Sequence, residues 1–272
     1  MIKDNAGNKI MIDGEIRLAK EWDNHSLKGT SIYEVLRIVD GKPLFLKEHI
    51  KRFVNSFYIL RYELPEEIND IEKNFWFFLK ASEIENGNIK IICDGIGEEK
   101  QRVSIYEALS IYPEKELYKR GVAISVMKKS RTSPGAKKIE TSLRMDTDRL
   151  KLKKNVYEVL LIDEKGNVTE GSRSNIFFIK NGILHTPPIE QVLPGITRMK
   201  VLEFCEKKDI EVKIHTIKEE DINYFDGAFL TGTSINMLPV KEIDKVVYSV
   251  DGFAFELSHQ FESFIGQESF SA

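Results

Sequence analysis

Hydrophobic and polar positions in this chain switch between a period of two and a period near 3.6, and the switches mark its elements. Ile32 to Val39 and Pro43 to Leu46 read as strands around Asp40-Gly41, both of which tolerate positive φ, so a two-residue hairpin is predicted there. Ile50, Phe53, Val54 and Phe57 then repeat at helical spacing, which predicts a helix over Glu48 to Leu60 with Lys47, Lys51 and Asn55 facing water. A second helix is expected after Pro65, burying Ile68, Ile71, Phe75, Phe78 and Leu79 and ending by Gly87. Ile89 to Cys93 follows as a buried strand before Asp94-Gly95.

The pattern weakens into a charged, proline-bearing link over Tyr112 to Arg120, where a domain boundary is expected. Beyond it come a strand from Gly121 to Met127, a loose stretch with Ser133-Pro134-Gly135, and a helix over Thr147 to Lys154. Strands are predicted over Tyr157 to Asp163 and Asn175 to Lys180, the second turning at Asn181-Gly182 onto Ile183-Leu184-His185. After Thr197 a helix is expected with Met199, Leu202 and Cys205 on its apolar face, then a strand region from Ala228 to Val240 and an amphipathic helix from Phe253 to Phe264.

Composition narrows the class. With 272 residues, 42% hydrophobic and 31% charged, the chain suits two modest globular domains or one large one, and a net charge of −3 gives no reason to expect nucleic acid. Cys93 and Cys205 are too few for a disulfide framework or a four-thiolate zinc site and read as core thiols, which suits a reduced cytoplasm. The start is polar, and no window approaches the roughly 18 apolar residues that span a bilayer. His25, His185, His215 and His259 lack metal-ligand spacing, so no metal is assigned, and His49 reads as a hydrogen-bonded structural group. Neither a Gly-x-Ser-x-Gly elbow nor a phosphate loop ending in Gly-Lys-Ser/Thr is present.

The chemistry concentrates between Asn167 and Arg198. Glu170 is a lone carboxylate just before an apolar strand, and after a hairpin Gly195-Ile196-Thr197 opens a helix whose first N–H groups suit a phosphate. A carboxylate at one end and a phosphate seat at the other suggest a charged cofactor between them.

The ordered set Tyr33-Glu34-Val35-Leu36-Arg37, His49-Ile50-Lys51-Arg52, Glu158-Val159-Leu160, Thr169-Glu170-Gly171-Ser172-Arg173-Ser174-Asn175, Thr186-Pro187, Gly195-Ile196-Thr197-Arg198 and Gly232-Thr233-Ser234 resembles the fold-type IV pyridoxal-phosphate enzymes. That family holds branched-chain and D-amino acid aminotransferases and aminodeoxychorismate lyase, and the resemblance runs from about residue 10 to 245. It implies an α/β (α+β) protein of two domains: a smaller N-terminal α/β domain over residues 1–115 and a larger, mixed β-barrel-like C-terminal cofactor-binding domain with helices over 116–272.

For the cofactor, pyridoxal 5′-phosphate, the resemblance implies a Schiff-base lysine, an acidic partner for the pyridine nitrogen and donors for the phosphate. Lys137 lies 21 positions before Glu158, the offset the family implies, and its neighbour Lys138 is the rival. Glu170 is implied as the pyridine partner; Arg52, Ile196, Thr197 and Thr233 as the phosphate donors; and Tyr33 and Lys90 as substrate-facing residues. Outside that context Lys137 and Lys138 read as surface lysines, Arg52 as a solvated helix arginine, Thr197 as an N-cap, and Lys90 as an exposed strand lysine.

The implied activity is amino-group exchange between an amino acid, branched-chain or D-configured, and a 2-oxo acid, in a cytoplasmic homodimer without nucleic-acid or membrane partners. Aminodeoxychorismate lyase is the alternative, because Arg37 to Lys42 and His49 to Arg52 resemble that branch too. From another class, a non-catalytic protein that kept the fold for binding would be colourless with the cofactor added.

Overall fold

The computed structural model describes residues 4–21, 29–250 and 252–269; His25 lies outside them. The chain forms two compact units, one built from residues up to Ile111 together with Ala136–Ile139, the other from Tyr112–Gly135 and from Glu140 onward.

The first unit contains β1 (Asn5–Ile12), β2 (Glu15–Leu18), β3 (Thr30–Val39), β4 (Lys42–Pro43), α1 (Leu46–Leu60), α2 (Ile71–Ser82), β5 (Gly87–Ile96) and β6 (Arg102–Ala108). Its six strands form one antiparallel sheet in the order β2-β1-β6-β5-β3-β4. Asp40 (φ 48°) and Gly41 (φ 70°) close the expected hairpin, with Val39 opposite Lys42. The strand expected as far as Leu46 stops at Pro43, because Phe45 turns left-handed (φ 57°) and Leu46 already begins α1. The second helix also differs: a short 3₁₀ turn, Glu66–Ile68, precedes α2, which ends at Ser82 with Glu83 left-handed rather than at Gly87.

Pleating gives this sheet two unlike faces. Ile32, Leu36, Ile38, Ile89, Ile91, Cys93 and Ile105 pack with Phe53 and Phe57 of α1 and Phe75 and Phe78 of α2 in one core. The alternate positions Ile10, Ile92 and Tyr106 cluster on the other side with Tyr33 and Ile139. Residues 136–139 extend the sheet beside the start of β3: Tyr33 N–H donates to Lys137 C=O (3.0 Å), Ile139 N–H donates to Ser31 C=O (2.9 Å), and Ile32 pairs with Lys138.

The second unit contains α3 (Lys115–Arg120), β7 (Val122–Lys128), α4 (Thr141–Lys154), β8 (Glu158–Ile162), β9 (Asn167–Gly171), β10 (Asn175–Lys180), β11 (Ile183–Thr186), α5 (Ile196–Lys207), β12 (Val212–Ile214), β13 (Ile217–Lys218), β14 (Gly227–Gly232), β15 (Asn236–Ile243), β16 (Val246–Val247) and α6 (Phe253–Ser269). Its ten strands form a mixed sheet in the order β12-β11-β10-β14-β15-β7-β8-β9-β13, with β16 paired to β15. The pairs β7/β8, β7/β15 and β11/β12 are parallel.

Four expectations change here. The charged link holds a short helix, α3. Helix α4 opens at Thr141 rather than Thr147; it buries only Leu143 and Thr147, so it lacks the apolar stripe that reveals a helix. The region from Ala228 to Val240 is two strands joined by a turn. In α5 the buried residues are Ile196, Thr197, Arg198, Lys200, Val201, Phe204 and Cys205, rotated from the Met199/Leu202 face. No helix among the described residues is long and apolar enough to cross a membrane.

Phe57 is fully buried in the first core, edge-on to Phe53 at 5.5 Å, whereas Tyr58 is mostly exposed. Phe57→Ala is expected to cost about 3–5 kcal/mol in urea unfolding. Tyr58→Ala is expected to stay within about 0.5 kcal/mol of the parent.

Candidate active site

On the first unit, the apolar phase of β3 is interrupted by Glu34, which is fully buried among Ile32, Leu36 and Ile38. Helix α1 answers it. Arg52 Nε and Nη2 donate to Glu34 Oε1 and Oε2, each at 2.7 Å, and His49 Nδ1 lies 2.8 Å from Oε2. His49, Arg52 and Ser56 follow at helical spacing and are all buried, so Arg52 belongs to a buried polar column beside Phe53 and Phe57 and not to a solvated helix edge. Burial alone would push the Glu34 carboxyl up, but the Arg52 guanidinium and the His49 contact outweigh it and hold it at about 2. Burial pulls His49 below its ordinary value; its contact with Glu34 opposes this, and the charges of Arg52 and Lys137 add to the lowering.

The same column reaches the lysine segment. Ser56 Oγ donates to Arg52 C=O (2.9 Å) and accepts from Lys137 N–H (3.1 Å), so one hydroxyl joins the arginine turn to the backbone of Lys137. Lys137 Nζ stands 4.9 Å from the centre of the Tyr33 ring. Lys90, expected at an exposed strand position, is instead buried, 5.5 Å from the centres of the Tyr33 and Tyr106 rings. The structure therefore brings Tyr33, Lys90 and Lys137 to one place and puts Arg52 on Glu34.

On the second unit, Glu170 is buried within β9 rather than standing just ahead of a strand. Its Oε1 accepts from Arg131 Nε (2.9 Å) and its Oε2 from Leu193 N–H (3.2 Å). Arg131 Nη2 also donates to Ser172 C=O (2.7 Å). The loop after Glu170 is ordered by a second buried carboxylate, Glu158, which accepts from Ser172 Oγ (2.5 Å), Arg173 N–H (3.1 Å) and Ser174 Oγ (3.2 Å). A side chain at Gly171 would run into Ser174 Oγ and Glu158, which explains the glycine.

Leu193 links Glu170 to α5. Asn175 Nδ2 donates to Leu193 C=O (2.9 Å), and a Cβ at Gly195 would strike Asn175 Oδ1, so the Leu193–Gly195 turn passes too close for any larger residue. Gly195 is the N-cap of α5 in extended conformation and carries no side-chain cap, so Thr197 is not the N-cap and the N–H groups of Ile196 and Thr197 stand in the first turn. Arg198, buried behind them, donates from Nη2 to Pro187 C=O (2.9 Å). Thr233 sits half-buried in the turn between β14 and β15.

Sequence reasoning missed Arg131, Ser56 and the pairing role of Glu34. Glu34 had a signal: a charge on the apolar phase of an alternating strand. Arg131 had none, since its loop lacks periodicity. His185 and His215, distant in sequence, meet with Nδ1 and Nε2 2.9 Å apart. Among the described residues no cluster of three or more His, Cys, Asp or Glu side chains could hold a metal ion.

A model of the amino-transferase class IV family matches residues 31–243. The chain belongs to the class IV aminotransferases. The putative branched-chain-amino-acid aminotransferase of Methanocaldococcus jannaschii is 29% identical over 259 residues, covering 87% of this chain and 88% of its own. The D-alanine aminotransferase of Bacillus licheniformis is 27% identical over 237 residues, covering 79% and 80%. In fold, this class IV aminotransferase matches the crystal structure of the Escherichia coli branched-chain amino acid aminotransferase with a TM-score of 0.84 at 22% identity, covering 96% of this chain and 94% of that one. It is a transaminase, and its cofactor is pyridoxal 5′-phosphate.

Two acid-sensitive elements follow from the buried groups. Glu34 is held below its ordinary 4.5, so the stability it contributes is present above that pH and lost as pH falls from 4.5 toward 2. Glu34→Gln is expected to cost about 3–5 kcal/mol at neutral pH, by leaving Arg52 buried without its counter-charge, and to flatten that acid limb in urea titrations. His49 and His185 both sit below the ordinary 6.5, the latter through burial and then the charges of His215 and Lys213, so stability also declines as pH falls through 6.5. Replacing both histidines with Gln should remove that part of the slope.

Proposed function

We propose that this transaminase exchanges an amino group between an amino acid of branched-chain or D-configured type and a 2-oxo acid, with Lys137 as tether and proton carrier, Glu170 at the pyridine nitrogen, and Arg52, Ile196, Thr197 and Thr233 at the phosphate. The observation that carries the assignment is the continuous link on the second unit: the buried Glu170 carboxylate holds Leu193, and the Leu193–Gly195 turn leads straight into the uncapped start of α5. An acceptor-only group at one end and first-turn N–H groups at the other fit a ring that is cationic at its nitrogen and dianionic at its phosphate.

When bound, pyridoxal phosphate supplies an electron sink for the pair left when the substrate Cα proton departs. Glu170 keeps the pyridine nitrogen protonated, and Arg131 and the Leu193 N–H orient its carboxylate for that duty. Lys137 Nζ would take the substrate Cα proton and pass it to the cofactor C4′ carbon, and run the same transfer in reverse for the 2-oxo acid. Its choice over Lys138 is supported by its place on the Tyr33 ring, while pleating turns Lys138 to the side of its bridge partner Ile32. Ser56 holds the Lys137 backbone, which limits the tether's search. At Arg52, Glu34 holds the Nε and Nη2 edge and so fixes the plane of the guanidinium that a phosphate would address. Tyr33 and Lys90 line the substrate side.

The relatives named above act, by their names, on branched-chain amino acids and D-alanine, which supports the donor class and leaves configuration to assay. Assembly as a homodimer is supported by family resemblance, and a cytoplasmic setting by the two buried free thiols, whose pKa burial pushes up to about 12. Size-exclusion with light scattering tests the dimer.

Purified protein should be yellow, and borohydride should fix the cofactor to Lys137, read by peptide mass. Lys137→Ala should lose the fixed adduct and about a thousandfold of transamination, while Lys138→Ala keeps the adduct. Attachment at Lys138 overturns the lysine assignment. Pyruvate release from aminodeoxychorismate without amino exchange from any L- or D-donor overturns the substrate reading.

A further inference from the structure

We infer that Arg198 is a fixed counter-charge that makes the start of α5 selective for a dianion, a positioning residue acting through the helix start without touching the reacting atoms. The inference rests on the phosphate seat proposed above and deepens it. Arg198 is the third residue of α5, whose N-cap is Gly195. A cation in a first turn opposes the helix dipole, which favours anions there. This one is also only 4% exposed. Its Nη2 donates to a neutral acceptor, Pro187 C=O, its Nε is buried without a hydrogen-bond partner, and among the described residues no carboxylate forms an ion pair with it. Burial pulls its pKa below the ordinary arginine value, opposed by the through-space charge of Glu190, an exposed residue in the 3₁₀ turn Ile189–Gln191.

Arg52, Lys90, Arg198 and Lys200 are the buried Lys and Arg residues among the described ones. Arg52 meets Glu34, Lys90 meets Asp4 and Lys200 meets Glu203, whereas Arg198 meets a carbonyl. A buried charge without a partner lowers stability, because the solvation it loses is not replaced. Local packing nevertheless keeps it at the helix start. A Cβ on Gly195 would lie 3.4 Å from Arg198 Cβ, and the Pro187 bond holds the guanidinium beside the turn that opens α5. A dianion at the Ile196 and Thr197 N–H groups would supply the missing counter-charge and answer the dipole at the same time. A neutral ligand of the same shape gains neither. Arg198 therefore lowers the stability of the cofactor-free protein and raises its affinity for the phosphate end of the cofactor.

The test uses the full chain, freed of cofactor and then titrated. Arg198→Met keeps the apolar stem and removes the charge. Its urea midpoint without cofactor is expected to equal or exceed that of the parent. Its dissociation constant for pyridoxal phosphate, read by fluorescence, should rise about tenfold, while that for pyridoxal, which lacks the phosphate, stays within about twofold. Inorganic phosphate should raise the thermal midpoint of the parent and leave that of Arg198→Met in place. Arg198→Lys, which retains the charge, should hold pyridoxal phosphate within about threefold of the parent. If Arg198→Met does not fold, Arg198→Gln, which keeps an N–H for Pro187 C=O, carries the same comparisons. Equal weakening of pyridoxal and pyridoxal phosphate, or a less stable cofactor-free protein with parental affinity for both, overturns the inference and leaves Arg198 as a staple for the Pro187 loop. A parent that binds no pyridoxal phosphate overturns the functional reading instead, and the inorganic phosphate comparison then decides the role of Arg198 by itself.

Discussion

A carboxylate placed among apolar strands survives only if cations replace the water it has lost, and that requirement organises the first unit. Glu34 occupies a core position of β3, so α1 must turn His49 and Arg52 inward to meet it. This sets the rotation of the helix. Ser56, one turn beyond Arg52 on the same stripe, then meets the Lys137 backbone, and Phe53 and Phe57 take the neighbouring apolar stripe. Charge compensation and core packing thus demand the same helix orientation, and the lysine segment is positioned as their consequence.

The second unit solves a related problem with two carboxylates of different duty. Glu158 is satisfied by the hydroxyls and N–H groups of the loop it orders, which makes it a structural anchor. Glu170 is oriented by an arginine and one backbone N–H. Close approach at Gly171 and Gly195 lets the β9 loop and the α5 turn fit against Glu158 and Asn175 respectively. The same backbone that orients Glu170 leads to the first-turn N–H groups of α5, so the spacing between an acidic and an anion-binding feature is fixed by covalent continuity plus two hydrogen bonds.

Elements with a strong local period were legible before the fold. Asp40-Gly41 and Asn181-Gly182 announced their turns because few other residues accept positive φ, and all four are left-handed here. Helix α1 declared itself through Ile50, Phe53, Val54 and Phe57. Where burial departs from a simple stripe, the reading slipped. Helix α4 is nearly all polar, α5 buries Thr197, Lys200 and Val201 rather than Met199 and Leu202, and β9 is too short and polar to stand out. Residue type alone would leave Lys90 and Arg52 in solvent, yet both are buried because each meets a carboxylate from elsewhere in the chain.

Local and ordinal features could be read along the chain: turn positions, the main amphipathic helix, and the order of motifs whose resemblance pointed to a class IV aminotransferase. Which charges answer one another emerges from the fold, since Glu34 with Arg52, Asp4 with Lys90 and Arg131 with Glu170 are separated by 18, 86 and 39 positions. The reason is physical. Periodicity records which face of an element is buried, whereas the compensation of a buried charge depends on which other element folds against it, and no local pattern encodes that.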